Sequence, residues 1–277
     1  MEFILYMQID NSFLDKIAQR VRTVSGLCLF GAHKEILRHY LEKRLGMMNM
    51  NEMEFWNFLD NEKEMRNLIN SITIGETYFF REEKQFDFLD SQVFPKLKPK
   101  SLIWSAACAT GEEAISLAVL NCKHGSNAKI IASDINTDSI ARFERGVYRP
   151  LSFRQDGLKF KKELDNYSKA NNDGSTVFDK NFISTIKKAD FNLIKKTGSL
   201  DGILDGSFSV ILARNVLIYF DHATQCDVVN FLIRKLESRG ILLLSATEIS
   251  HFQDFEIQYA EKRNFNNVFY FQKADFF

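Results

Sequence analysis

The sequence predicts an α/β protein, a doubly wound and mostly parallel sheet preceded by a set of helices. Three observations predict it. Apolar runs of strand length recur between residues 102 and 244: Leu102–Trp104, Lys129–Asp134, Phe208–Leu212 and Gly240–Leu244. The stretch Ser101–Leu120 passes from such a run, through the small residues Ser105–Ala109, into a helix with Ile115, Ala118, Val119 and Cys122 at i, i+3, i+4 and i+7. Ligands of open α/β sheets bind at the carboxyl end of such a strand. Between residues 13 and 72, apolar residues recur at helical spacing.

Size and composition bound the function classes. A chain of 277 residues accommodates one α/β domain plus a smaller one, and 45% apolar content with 26 Phe supplies a core. Lys+Arg and Asp+Glu are both 36, so no global basic field points to nucleic acid or a membrane surface. The cysteines at 28, 108, 122 and 226 lack C-x-x-C spacing, which predicts buried thiols in a reducing compartment. The histidines share no metal-ligand spacing, and no metal is expected. Phe3–Met7 is apolar but lacks the basic flank of a signal peptide. No run approaches the ~20 apolar residues of a membrane span, so the expected location is the cytoplasm without membrane insertion.

The elements follow in order. Residues 1–72 read as a helical domain: Phe13, Ile17, Val21 and Val24 form one stripe, Ile36, Leu37, Tyr40 and Leu41 a second, and Met65, Leu68, Ile69 and Ile72 a third. Phe55, Trp56, Phe58 and Leu59 cluster between them. Lys34 and Arg38 share a helix face, either a solvated one or a docking surface for an acidic helix. Thr73–Arg81 reads as a turn and an aromatic element, placed to fold over the mouth of the crevice. Phe86, Leu89, Val93 and Phe94 continue as a helix ended by Pro95 and Pro99. Residues 73–277 would form the sheet domain.

In the central unit, Thr110 and Glu113 have the spacing of a capping box. The turn carries one glycine, Gly111, and no G-x-G-x-x-G, which disfavours a dinucleotide and suits a nucleoside cofactor without phosphate. Asp134 ends the second strand 23 residues after Gly111, where ribose hydroxyls are bound in this architecture. It could instead cap the next helix, a role Asn136 or Thr137 would equally fill. Residues 149–187 break the βα rhythm. There the turn Asn171–Ser175, between β-prone pieces at Val177–Phe178 and Phe182–Ile186, predicts a small antiparallel insert whose edge could accept a peptide strand. Asp190–Leu193 leads into a loop. Arg214, Asn215 and Tyr219 follow the strand Phe208–Leu212 and converge on the crevice with Asp134. A helix with Val228, Leu232 and Leu236 follows, and Phe255–Tyr259 and Val268–Phe271 form a closing antiparallel pair around Asn266-Asn267.

Four motifs carry a resemblance: TIGETYFFRE at 73–82, SAACATGEEAISLA at 105–118, ASDINTDSIARFERGVY at 132–148 and ARNVLIYFD at 213–221. In this order they resemble the CheR family of chemoreceptor glutamate O-methyltransferases. Departures are Gly75 where the family often has Asn, Ala114-Ile115 for Pro-Tyr, Ser209 for Asp and Ala213 for Cys. The resemblance implies a class I methyltransferase fold. It implies transfer of a methyl group from S-adenosyl-L-methionine, leaving S-adenosyl-L-homocysteine, to glutamates on the cytoplasmic helices of methyl-accepting chemoreceptors. The family's cofactor contacts fall on Gly75, Thr77, Arg81, Glu113, Asp134, Asn192, Leu193, Arg214 and Asn215; Tyr219 and Arg81 take the catalytic positions. On this basis Arg81 and Thr77 hold the cofactor's amino-acid tail, Asp134 the ribose and Asn192 the adenine edge, while Arg214 and Tyr219 orient the glutamate. The β insert could grip a receptor tail. The alternatives are a class I methyltransferase for another substrate and a non-catalytic cofactor-binding sensor or scaffold.

Overall fold

The computed structural model describes residues 9–200, 202, 205–252 and 257–275; Phe3–Met7 and Phe255-Glu256 lie outside them. Helices α1 (Asn11–Ser25), α2 (Ala32–Met48), α3 (Glu52–Phe58) and α4 (Glu62–Ile72) come first. Asp10, Asn51 and Asn61 cap α1, α3 and α4 by accepting first-turn amides. Most of the predicted stripes is buried, Phe13, Ile17 and Val21 on α1, Leu37 and Leu41 on α2, and Met65, Leu68, Ile69 and Ile72 on α4, while Val24, Ile36 and Tyr40 are half-buried. Lys34 and Arg38 are spent within the molecule. Lys34 pairs with Asp15 at 2.5 Å, and Arg38 donates to the Ile9 carbonyl and Asn11 Oδ1 at 3.0 and 2.7 Å, tying α2 to α1.

Helix α5 (Glu83–Phe88) runs on through a π turn and a 3₁₀ turn to Lys96. The α/β part then follows as β1 (Leu102–Ala106), α6 (Glu112–His124), β2 (Lys129–Asp134) and α7 (Thr137–Arg145). After it come β3 (Val147–Tyr148), α8 (Lys161–Asp165), β4 (Ser168–Ala170), β5 (Thr176–Phe178) and α9 (Lys180–Ser184). Next are β6 (Lys187–Asn192), β7 (Thr197–Gly198), β8 (Phe208–Leu212) and α10 (His222–Lys235). The last elements are β9 (Leu236–Leu243), α11 (Ala246–Ile249), β10 (Ala260–Phe265) and β11 (Val268–Lys273). The main sheet has the order β10-β11-β9-β8-β1-β2-β6-β7. Its five central strands, β9 to β6, are parallel, and β7, β11 and β10 are antiparallel. This is the doubly wound, mostly parallel architecture read from the sequence.

Alternation along the strands divides the core. Trp104 and Ala106 face one cluster with α1, α2, α4 and α10, while Ile103 faces the other with α5, α6 and the insert. Trp104 stacks on Phe208 at 5.2 Å, and its indole N–H donates to Ser133 Oγ at 2.9 Å.

Several boundaries differ from the sequence reading. The insert is the three-stranded sheet β3-β5-β4 and begins at Val147, two residues before 149. Its hairpin turns at Asn171–Ser175 as expected, but Phe182–Ile186 is not a strand. Asp179 accepts the amides of Asn181 and Phe182 and starts α9 instead. Asp190–Asn192, expected to lead into a loop, belongs to β6 in the main sheet, with Ala189 and Phe191 facing the core. The first closing strand is Ala260–Phe265; Ile257–Tyr259, within the predicted piece, form a bend and turn. Leu236 opens β9 because α10 ends at Lys235. Of the four thiols Cys108 is buried, Cys28 and Cys226 are half-buried and Cys122 is exposed, which corrects the expectation of four buried thiols.

Candidate functional site

Strands β1, β2, β6 and β8 end on the same side of the sheet, and a crevice lies over their carboxyl ends. Protein atoms leave about 1110 Å³ free there, counted out to the open mouth. All ten residues singled out from the sequence line it: Gly75, Thr77, Arg81, Glu113, Asp134, Asn192, Leu193, Arg214, Asn215 and Tyr219. They come from the tips of β2, β6 and β8, from the first turn of α6 and from the strap before α5.

The turn after β1 is held in an unusual backbone. Ala107, Ala109 and Gly111 have φ of 64°, 47° and 94°, in the left-handed region that side chains avoid. Only glycine fits at 111, since an added Cβ would meet the Phe143 ring at 2.3 Å. Asp134 stabilises the strained turn by accepting the Ala109 amide at 2.8 Å, and its other oxygen accepts the Asn136 amide at 2.8 Å. Burial pushes the Asp134 carboxyl above the usual carboxylate range, against the pull of those amides. Asn136, and not Asp134, caps α7 by accepting the Ser139 amide.

The expected capping box at Thr110 and Glu113 does not form. Gly111 is the N-cap of α6, and no side chain caps it. The carboxylate of Glu113 is engaged elsewhere, accepting from Ser105 Oγ at 2.6 Å and from Arg214 Nη1 at 3.1 Å. Burial raises the Glu113 pKa, and Arg214 opposes the rise. Arg214 is buried; its Nη2 donates to the Arg81 carbonyl at 2.5 Å and lies 3.6 Å from Glu82. Its Nε has no hydrogen-bond partner among the described residues.

Arg214 is followed by Asn215, at φ 58°, and by a turn reaching Tyr219. One carboxylate holds this loop. Glu248, 1% exposed, accepts the amides of Asn215 and Leu217 at 2.8 Å each and of Ile218 at 3.4 Å. It also takes the amide and hydroxyl of Ser245 at 3.0 and 2.6 Å, completing a capping box on α11. The sequence reading missed Glu248, although Ser245-x-x-Glu248 carries the box signal. Burial raises the Tyr219 pKa, so its phenol stays protonated at neutral pH.

Two buried rings anchor the strap. Phe79 donates its amide to the Ser152 carbonyl at 2.9 Å, and Phe80 its amide to Ser116 Oγ at 3.0 Å. Thr73–Thr77 and Arg81 are thereby left along the crevice, where Arg81 Nη1 donates to the Glu76 carbonyl at 2.9 Å. Asn192 braces the far end. Its Nδ2 donates to the Val24 carbonyl at 2.8 Å, and its Oδ1 accepts from the amides of Ile194 and Lys195. One N–H of that amide is left over. His33 also lines the crevice; on a helix with mixed polar neighbours, nothing in the sequence marked it.

The family described as CheR methyltransferase, SAM binding domain, matches residues 75–263. A chemotaxis protein methyltransferase of Borreliella burgdorferi is 29% identical over 89% of this chain and 91% of its own length. Chemotaxis protein methyltransferase 2 of Pseudomonas aeruginosa is 27% identical over 84% and 85% of the two chains. The Escherichia coli chemotaxis protein methyltransferase is 26% identical over 89% and 88%. S-adenosylmethionine is thus the cofactor. The crevice fits it, offering the unpartnered Arg214 Nε to a carboxylate and the Asp134 carboxylate to a diol, with no phosphate cradle.

Proposed function

The chain belongs to the CheR methyltransferase family, a family of S-adenosylmethionine-dependent methyltransferases of chemotaxis, and from that premise we propose that it methylates glutamate side chains on the cytoplasmic helices of chemoreceptors. The observation that carries this reading is the convergence of all ten expected residues on one crevice. Bound there, S-adenosylmethionine supplies a methyl group made electrophilic by its sulfonium.

The chain's own groups have a limited task. An acceptor glutamate, with a pKa near ~4.3, is already ionised at neutral pH, so no general base is required. Alignment of its oxygen with the methyl is what remains, and such positioning can contribute ~7–11 kcal/mol. In this reading Arg81, Thr77 and the free Arg214 Nε hold the amino-acid tail, Asp134 the ribose, and the spare N–H of Asn192 the adenine edge. Arg214 is too firmly paired with Glu113 to reach the acceptor as well. Orientation of the glutamate therefore falls to the protonated Tyr219.

The crevice mouth suits a protein acceptor. Ile74 lines it and is 43% exposed; Phe30 and Ile218, 74% and 51% exposed, adjoin the lining residues Leu29 and Tyr219. The exposed edge of β4 in the insert is a place for a receptor tail strand. The test is incubation with labelled S-adenosylmethionine and receptor-bearing membranes. Base-labile label on a receptor-sized band is expected, whereas label on nucleic acid, or binding without transfer, refutes the reading. Tyr219→Phe should lower kcat about 100-fold and leave adenosylhomocysteine affinity within twofold.

A further inference from the structure

We propose that His33, from the second helix of the chain, is a substrate-contacting residue whose Nε2 donates to the carboxylate of the methyl acceptor beside Tyr219. The inference rests on the reading above and adds to it a residue from outside the matched segment 75–263.

The geometry is specific. His33 is the second residue of α2, its amide donates to the Phe30 carbonyl at 3.1 Å, and its ring meets the Tyr219 ring edge-on, centroids 5.4 Å apart at 76°. The strand of chain leading to it is fastened to the same tyrosine: the Cys28 amide donates to the Tyr219 carbonyl at 2.8 Å. Both side chains line the crevice. His33 Nε2 is buried and has no hydrogen-bond partner among the described residues. A buried ring nitrogen without a partner is costly, and native folds rarely leave one without a reason such as a missing ligand. The Tyr219 hydroxyl makes no hydrogen bond among the described residues either. Two polar groups on different elements are thus left over at one place in the crevice.

Position decides which ligand they serve. The groups suited to the cofactor lie at the ends of β2 and β6 and in the strap: Asp134, Asn192, Thr77 and Arg81. His33 instead stands against Tyr219, its amide bonded to the carbonyl of the exposed Phe30. An incoming carboxylate has two oxygens; the one that is not methylated can accept from Nε2 while the phenol orients the other. A hydrogen bond to a charged group of this kind is worth about ten- to a hundredfold in kcat/KM.

The test compares His33→Phe, which keeps a ring against Tyr219 without its nitrogens, with His33→Gln, whose amide nitrogen reaches the place of Nε2. Methyl transfer to receptor membranes and adenosylhomocysteine affinity by calorimetry are measured on the full chain. His33→Phe should lower receptor kcat/KM about ten- to a hundredfold with cofactor-product affinity within twofold, and His33→Gln should recover most of the loss. Wild-type activity in His33→Phe overturns the proposal, as does a matching loss of adenosylhomocysteine affinity, which assigns the nitrogen to the cofactor. A His33→Gln protein as impaired as His33→Phe also overturns the proposal, since a donor restored at the place of Nε2 then recovers nothing. If the unmutated protein labels no receptor, the glutamate reading fails first and the role of His33 falls with it.

Discussion

On the strand-tip side of the crevice the buried carboxylates are spent on neighbouring groups; on the side built by residues 28–33 a buried ring nitrogen, His33 Nε2, has no partner among the described residues. Asp134 holds the Ala109 and Asn136 amides, Glu113 holds Ser105 and Arg214, and Glu248 gathers the loop of Asn215 to Ile218. Ala107, Ala109 and Asn215, with backbone in the left-handed region, lie in segments those carboxylates restrain. Opposite them stand an imidazole nitrogen without a partner and the exposed side chains Phe30 and Ile74. A rigid, self-satisfied wall suits a cofactor bound in every cycle. An incompletely satisfied wall suits a macromolecule that arrives with its own carboxylate and apolar surface.

The sharpest break in that contrast is Glu248→Ala. It strands four backbone amides and the Ser245 hydroxyl at a buried position, and the expected cost is about 3–5 kcal/mol in a denaturant titration. Turnover should fall at least about 100-fold with it, because Tyr219 loses its support. Arg81→Ala, on the strap, should cost less than about 0.5 kcal/mol of stability, since it surrenders a bond to a carbonyl near the surface and a distant contact with the Tyr78 ring. Equal losses from the two changes would erase the distinction between the walls.

A second prediction uses the titration of Asp134. Burial raises its pKa, so the folded protein binds this proton at higher pH than the unfolded chain does. Its contribution to stability is therefore present at low pH and lost as pH rises through the folded pKa. Ribose hydroxyls donating to the ionised carboxylate give affinity the opposite slope. Adenosylhomocysteine binding should weaken as pH falls, starting above ~pH 4 and approaching tenfold per pH unit once the group is protonated. Calorimetry from neutral to mildly acidic pH checks this, and Asp134→Asn should bind more weakly with the slope flattened. A pH-independent affinity in the unmutated protein would remove Asp134 from the ribose.

Legibility in the sequence follows the same division. The strand-tip wall was readable because short-range patterns mark it: an apolar run, small residues, a helix, an acid about one βα unit later. The two capping boxes show where such patterns stop being sufficient. Thr110 to Glu113 and Ser245 to Glu248 have the same spacing, yet only the second forms. Arg214, 101 residues away along the chain, claims Glu113. Glu248 serves its box and also amides some thirty residues earlier, a dual use no local spacing announces. Strand β6 was passed over because Lys187 and Lys188 dilute its alternation, and His33 because its significance is a nitrogen left over after folding.

The smallest expected effect concerns Gly75, on the strap where the family often has Asn. Its backbone lies outside the left-handed region, and an added Cβ would sit 3.5 Å from Ser139 Oγ and 3.6 Å from Ala109 Cβ, both ordinary contacts. Nothing in the packing therefore requires glycine at 75, in contrast to Gly111, where the Phe143 ring leaves no room. Gly75→Asn should leave the melting temperature unchanged or slightly raised, because the substitution restricts the unfolded chain. It also adds an amide on the strap beside the crevice, and adenosylhomocysteine should bind about two- to fivefold more tightly, roughly what one neutral hydrogen bond contributes net. A loss of affinity would show that the space beside Gly75 is already filled when the cofactor is bound, and that this stretch of the strap is shaped for the ligand more closely than its backbone suggests.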